Sequence, residues 1–202
     1  MTAIRGFLLA EAMRFIRAAR EPDGVTRIAF VGSILTDKPD PKDIDLLVTI
    51  TDAVDVRTLA RLGRRLKGTA QTRNHGADIF LASPDRRYLG RTCSYRECHP
   101  RSACQGTRCD GGFVNTDLHI VELATTLVAR PGLIVWPRFE AHVPLPADVE
   151  DALRQGLGAD AVRVPRAKRR AARSARPSCD DEGATQTRDA EDASADIERR
   201  LT

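Results

Sequence analysis

The sequence predicts an α/β (α+β) protein in which helices flank a small mixed β-sheet. Three observations support this fold class. The first 83 residues alternate between helical and strand periodicity in the order helix, strand, strand, helix, strand. A length of 202 residues suits one domain with a further segment. Aromatic residues make up only 4% of the chain, so aliphatic side chains would dominate the core.

The first three elements follow from local patterns. Apolar residues recur at helical spacing over residues 3–19, and the turn at Pro22 closes that segment. Residues 26–31 are rich in β-branched and aromatic side chains, and residues 43–50 form a second run of this kind. A loop punctuated by prolines separates the two runs. The pattern predicts a packing helix followed by two strands.

A second helix and a third strand complete this half of the chain. Thr51 or Asp52 can cap the helix, and Lys67-Gly68 supplies a stop signal. Residues 77–82 then form a short apolar run typical of a strand. Further along the chain, we predict order at 117–123, a strand at 133–136 and a short helix at 147–157.

Residues 83–112 lack apolar periodicity and contain four of the five cysteines, so we predict a cysteine-rich segment within the domain. Those four are Cys93, Cys98, Cys104 and Cys109. Four thiolates within so short a stretch can form a tetrahedral Zn²⁺ site, which would order the segment. Their spacing is wider than the usual zinc motif, so reduced free thiols and disulfides remain open alternatives.

The end of the chain has a different composition. Residues 163–176 hold seven basic and no acidic residues, whereas residues 177–202 are mainly acidic, polar and small. So few apolar residues cannot offset the entropy of ordering the chain. We therefore predict a domain at 1–160 and a disordered tail at 161–202, whose basic part is a possible contact for nucleic acid.

No run approaches the length of about 18 apolar residues that a membrane helix requires, and the N-terminus lacks a signal-like apolar run. We expect a cytoplasmic protein with no membrane partner.

Two acids in the second strand are the sharpest feature of the sequence. Side chains alternate along a strand, so Asp43 and Asp45 face the same side. Two unpaired carboxylates repel each other unless a cation lies between them, and hard oxygen ligands favour Mg²⁺ or Mn²⁺. Gly32 would allow a phosphate to approach the backbone, and the Ser33 hydroxyl could donate to its oxygens. Asp78 could be a third converging carboxylate.

The order of these residues resembles the nucleotidyltransferase fold of the DNA polymerase beta superfamily. The likeness is greatest to the minimal, stand-alone nucleotidyltransferase domains of bacteria, and it covers roughly residues 1–83. It implies that Asp43 and Asp45 bind divalent metal and that Asp78 orients or deprotonates the attacking hydroxyl. It also implies that Gly32 and Ser33 hold the nucleotide phosphates.

One position departs from the family pattern within the motif. Lys42 stands where the family usually has a small residue before the first acid, a departure that could alter nucleotide affinity, and Lys42 is a nucleotide-binding candidate. The loop between the motifs also lacks the glycine that is common in the family.

The resemblance implies a metal-dependent transfer of a nucleoside monophosphate from an NTP to an acceptor hydroxyl, with release of pyrophosphate. The acceptor could be a protein side chain, a nucleic-acid end or a small molecule. The alternative is a non-catalytic module on the same fold that binds nucleic acid or another protein.

Overall fold

A computed structural model describes residues 1–93, 109–110, 113–116 and 122–157. All of them belong to one compact unit, Met1–Arg166. The predicted domain boundary near residue 160 and the predicted tail lie outside the described residues, and so do residues 117–121 of the predicted ordered segment. Those expectations stay predictions.

The part of the chain that the structure describes contains both helices and strands. The helices are α1 (Ala3–Ala19), α2 (Val56–Gln71), α3 (Thr125–Ala129) and α4 (Ala147–Leu157). The strands are β1 (Val25–Val31), β2 (Asp43–Ile50), β3 (Gly76–Ala82), β4 (Tyr88–Thr92), β5 (Cys109–Asp110), β6 (Val114–Asn115), β7 (Leu133–Trp136) and β8 (Glu140–Ala141). A 3₁₀ turn, Ser33–Leu35, follows β1.

These strands form one mixed sheet in the order β5-β6-β4-β3-β2-β1-β7-β8. β2 and β3 run parallel, and each other pair of neighbours runs antiparallel. A parallel pair requires a crossover connection, which α2 provides. The predicted α/β class with a mixed sheet flanked by helices is therefore confirmed.

The two faces of the central strands have different partners. Alternate β2 side chains from Ile44 to Ile50 join α1, α2 and α4 in the main hydrophobic core. Leu47 points to the opposite face and belongs to a smaller cluster with α3. Because side chains alternate along a strand, Asp43 and Asp45 share the face of Leu47. Helix α2 covers the apolar face and leaves the acids on the other.

The start of α2 differs from the prediction. Its N-cap is Asp55, whose carboxylate accepts a hydrogen bond of 3.0 Å from the Arg57 amide. The predicted cap Thr51 instead donates its amide to the Gly24 carbonyl at the end of β2, and Asp52 is an exposed turn residue. Both predicted caps were wrong because the chain makes a turn before the helix begins.

The end of α2 also differs, since the helix continues past Lys67 and Gly68 to Gln71. Ala70 is fully buried against the main core. Burial of this last turn favours helix beyond a glycine that by itself would weaken it.

Strand β4 lies within the stretch where we predicted no regular structure. Gly90 adopts φ +115°, and a Cβ there would lie 2.3 Å from the Asn115 carbonyl oxygen. The ladder with β3 shifts register near this glycine. This irregularity breaks the alternation of side chains that sequence analysis relies on.

None of the described helices has the length and apolarity needed to cross a membrane.

Candidate functional site

The predicted acids meet at one end of the central strands. Asp43 is exposed at the first position of β2, and Asp45 is half-buried two residues later. In the sheet register, Asp45 pairs with Val31 at the end of β1 and with Asp78 in β3. Strand pairing therefore brings Asp78, which is distant in sequence, beside the pair in β2.

Each acid of β2 lies against a glycine of a neighbouring strand or turn. Gly32 has φ +78°, and a Cβ added to it would lie 2.5 Å from the Asp45 Oδ2 atom. A Cβ on Gly76 would lie 2.2 Å from the Asp43 Oδ1 atom. No real Cβ tolerates these distances, so both positions require glycine while the carboxylates keep their places.

The Asp45 carboxylate lies in an unfavourable electrostatic environment. Burial, together with the nearby charges of Asp78 and Asp43, raises the pKa of Asp45 from 3.8 to about 6. Among the described residues, none donates a hydrogen bond to this carboxylate. A bound cation would offset the repulsion between the carboxylates and would take the place of the missing hydrogen-bond donors.

Asp78, in contrast, is held by two cations. Its Oδ1 atom lies 3.2 Å from Nζ of Lys67 in α2 and 3.1 Å from a terminal guanidinium nitrogen of Arg91 in β4. The structure thus separates the three acids into the Asp43 and Asp45 pair and an ion-paired Asp78.

The Gly-Ser turn is shaped by backbone hydrogen bonds. The Ser33 carbonyl accepts bonds from the amide and the hydroxyl of Thr36, at 3.1 and 2.8 Å. The Ser33 hydroxyl has no partner among the described residues and is free to meet a ligand.

Lys42 takes part in the structure through its backbone. Its carbonyl oxygen accepts the Gly76 amide at 3.0 Å, and Nδ1 of His75 lies 3.1 Å from the same oxygen. The Lys42 side chain is exposed next to Asp43. This position allows the predicted contact with a nucleotide, and that contact stays a prediction.

A buried arginine fixes the loop between the two motifs. Arg5 of α1 is only 4% exposed and donates to the carbonyl oxygens of Thr36, at 2.8 Å, and of Lys38. Its other terminal nitrogen lies 3.6 Å from the Asp148 carboxylate in α4. The spacing between the Gly-Ser turn and the acid pair is therefore held by α1 and α4.

A cavity of about 460 Å³ opens beside the Gly-Ser turn. Its walls include Gly32, Leu35, Leu127 of α3 and residues 143–146. Its volume lies within the range of small-molecule sites, and most of its lining side chains are apolar.

The cysteine cluster falls mostly outside the described residues, which exclude Cys98, Cys104 and the side chain of Cys109. Cys93 is buried and directly follows β4. The predicted zinc site stays a prediction.

Two carboxylates on one face fit the donor set that Mg²⁺ takes in proteins, since this ion keeps several waters and uses one or two carboxylates. Within the described ranges, no group of three or more His, Cys, Asp or Glu side chains is arranged to hold a metal ion. Asp43 and Asp45 could therefore supply at most two carboxylate ligands from the described residues, and substrate oxygens and water would have to supply the others.

Sequence analysis did not identify three residues of this site. Gly76 carries a weak signal, as a glycine at the start of a strand. Lys67 and Arg91 carry no local signal, because they meet Asp78 only through the packing of α2 and β4 against β3.

A family model described as "Family of unknown function (DUF6932)" matches residues 2–115, which is more than half of the chain. The matched range includes all the predicted catalytic and nucleotide-binding residues. No curated protein and no solved structure matches the chain.

Proposed function

The chain belongs to DUF6932, a family whose description names no function, so we propose an activity from the geometry of the site. We propose that it is a metal-dependent nucleotidyltransferase, which moves a nucleoside monophosphate from an NTP to an acceptor hydroxyl. The observation that carries this proposal is the half-buried Asp45 carboxylate, packed against Gly32 and facing two other acids with no hydrogen-bond donor among the described residues.

Asp43 and Asp45 would hold Mg²⁺ or Mn²⁺. When bound, the ion would neutralise negative charge on the phosphates and on the leaving pyrophosphate. Asp45 is the residue that gains most from a cation, because burial and the neighbouring acids disfavour its charged form. Asp43 adds a second carboxylate from the same face at the exposed edge of the site.

The Gly-Ser turn would receive the nucleotide. Gly32 has no side chain to keep a phosphate away from the backbone, and the Ser33 hydroxyl can donate to a phosphate oxygen. The exposed Lys42 ammonium would add positive charge beside Asp43. The apolar cavity that begins at Gly32 has room for the nucleoside part of the substrate.

Asp78 would act on the acceptor. Its carboxylate would accept the proton of the acceptor hydroxyl while the hydroxyl oxygen forms a bond to the α-phosphorus. The bond from the α-phosphorus to the bridging oxygen then breaks, and pyrophosphate leaves with both electrons of that bond. Lys67 and Arg91 would balance the charge of the Asp78 carboxylate until it takes up the proton.

The direct test incubates the purified full chain with each α-labelled NTP and Mg²⁺ or Mn²⁺, together with candidate protein, nucleic-acid and small-molecule acceptors. We expect pyrophosphate release and transfer of the label with at least one combination. The variant Asp45→Asn should lose the activity. The matched control Asp52→Asn should keep it, because Asp52 is exposed in the turn before α2.

Binding without turnover would support the alternative. If calorimetry detects an NTP together with a divalent cation but no acceptor is labelled, the chain is a non-catalytic binding module. If the wild-type chain binds neither an NTP nor a divalent cation, the proposed activity is wrong, and the module that binds nucleic acid or another protein is favoured.

A further inference from the structure

Lys67 and Arg91 approach Asp78 from different elements. Lys67 belongs to α2, which packs on the face of the sheet opposite to the one that carries Asp45 and Asp78. Arg91 is the register partner of Phe80 in β4, so it lies on the face that carries Asp45 and Asp78. The β3–β4 ladder extends from Phe80 to Ala82 and ends before Asp78, which leaves that position of β3 accessible to the Lys67 side chain.

Close helix packing makes the Lys67 contact possible. A Cβ on Gly63 would lie 2.9 Å from Thr92 Oγ1 and 3.1 Å from the Ile79 side chain, so α2 lies directly on β3 and β4 at this point. Lys67 follows one helical turn later on the same side of α2. Its side chain is 23% exposed and that of Arg91 is 17% exposed, so most of each side chain is covered by the protein.

Both cations bind the same atom. The two distances end on Asp78 Oδ1, and among the described residues no group is hydrogen-bonded to Oδ2. A carboxylate fixed through one oxygen has a defined orientation and keeps its second oxygen available as an acceptor. The Lys67 and Arg91 charges also oppose the approach of a metal cation to Asp78.

We propose that Lys67 and Arg91 are positioning residues that hold Asp78 for the acceptor hydroxyl and keep it out of the metal ligand set. This inference rests on the proposed function. It divides the three acids between two roles: Asp43 and Asp45 bind the metal, and Asp78 receives the acceptor through Oδ2.

The first test measures Mn²⁺ binding to the full-length chain by electron paramagnetic resonance, which needs no turnover. Lys67→Met removes a positive charge next to the acids, so we expect the Kd for Mn²⁺ to fall by about three- to tenfold. Lys67→Arg and the matched control Arg61→Met should leave the Kd within about twofold, since Arg61 is exposed on the same helix. Asp78→Asn should raise the Kd without changing the number of Mn²⁺ ions bound.

The second test measures transfer kinetics. Lys67→Met should lower kcat at least tenfold while the KM for the NTP changes less than twofold, and Lys67→Arg should restore most of kcat. Circular dichroism and thermal melting would identify a variant that is misfolded, in which Mn²⁺ binding and kcat would both decrease.

The outcomes separate the two proposals. Loss of one bound Mn²⁺ in Asp78→Asn, or an unchanged or higher Kd in a folded Lys67→Met variant, would overturn the positioning role. An unchanged kcat in Lys67→Met would overturn it as well. If the wild-type chain transfers no nucleotide, the proposed function fails, and the Mn²⁺ measurements alone decide whether Asp78 is kept from the metal.

Discussion

Replacing Asp45 by asparagine should stabilise the protein at neutral pH while it removes metal binding. Asparagine keeps the shape of the side chain and cannot ionise. In the wild-type chain, Asp45 must be charged at neutral pH although burial and two neighbouring acids disfavour the charge. The variant removes this cost and also removes a proposed metal ligand, so stability and binding should change in opposite directions.

The size of the effect follows from the pKa. Asp45 has a pKa of about 6 in the folded protein, against 3.8 for an unperturbed aspartate. Each pKa unit corresponds to about 1.4 kcal/mol, so the ionised carboxylate costs about 3 kcal/mol. Asp45 is only half-buried, and solvent screening together with the burial of the new amide reduces the gain. We expect Asp45→Asn to raise the free energy of unfolding by about 1–2.5 kcal/mol at pH 7.5 in EDTA.

Because folding raises the pKa of Asp45, the direction of the pH dependence is fixed as well. Between pH 4 and 6 the folded state holds a proton on Asp45 that the unfolded state has lost, so wild-type stability decreases through this group as the pH rises. The variant lacks this decrease. Its advantage should therefore be largest above pH 6 and should disappear below pH 4.

Urea denaturation at several pH values measures these differences, with Asp52→Asn as the control that should stay within about 0.5 kcal/mol of wild type. Millimolar Mg²⁺ should stabilise the wild-type chain and not Asp45→Asn. The reasoning is refuted if the variant is less stable than wild type at pH 7.5 in EDTA, or if the difference does not depend on pH.

Three further predictions test other parts of the structure. Gly32→Ala should destabilise the protein by about 1–3 kcal/mol and abolish Mg²⁺ binding, because φ +78° and the Asp45 contact exclude a Cβ. Gly68→Ala is its control and should stabilise α2 by up to about 1 kcal/mol, since nothing lies within 4 Å of a Cβ added there. Equal changes in the free energy of unfolding for the two variants, measured by urea denaturation, would contradict this explanation. Arg5→Met should lower the free energy of unfolding by about 2–4 kcal/mol, because it removes the hydrogen bonds to the motif loop and the ion pair with Asp148. Chemical denaturation measures this change, and an unchanged free energy of unfolding would show that other contacts hold the loop. Protein purified without added metal should contain about one zinc per chain by elemental analysis, and freely titrating native thiols without zinc would reject the predicted cysteine site.

Local patterns determined most of the central elements. The observed bounds of α1, β2, β7 and α4 agree with the predicted ones, and β1 and β3 each differ by a single residue at the start. These segments have regular periodicity, and burial in the fold follows that periodicity. The same alternation predicted that Asp43 and Asp45 share a face, because strand geometry sets this without knowledge of the neighbours.

Elements with irregular or competing signals could not be predicted in this way. The N-cap of α2 depended on the turn that precedes Asp55, and its end depended on the burial of Ala70. β4 was missed because Gly90 interrupts its alternation. In each case, a contact with a distant part of the chain outweighed the local preference.

The sequence by itself determined the fold class, the order of the first elements and the residue types of the candidate site. Only the tertiary structure decided how those residues meet. It packs Asp45 against Gly32 and Asp43 against Gly76. It also pairs Asp78 with the charges of Lys67 and Arg91. The physical reason is that periodicity within a segment reports which face is buried, whereas register between strands and the packing of a helix on a sheet depend on contacts between distant segments. Those contacts fix the positions of the charges, and under the proposed function these charges decide which of the three acids can bind a cation.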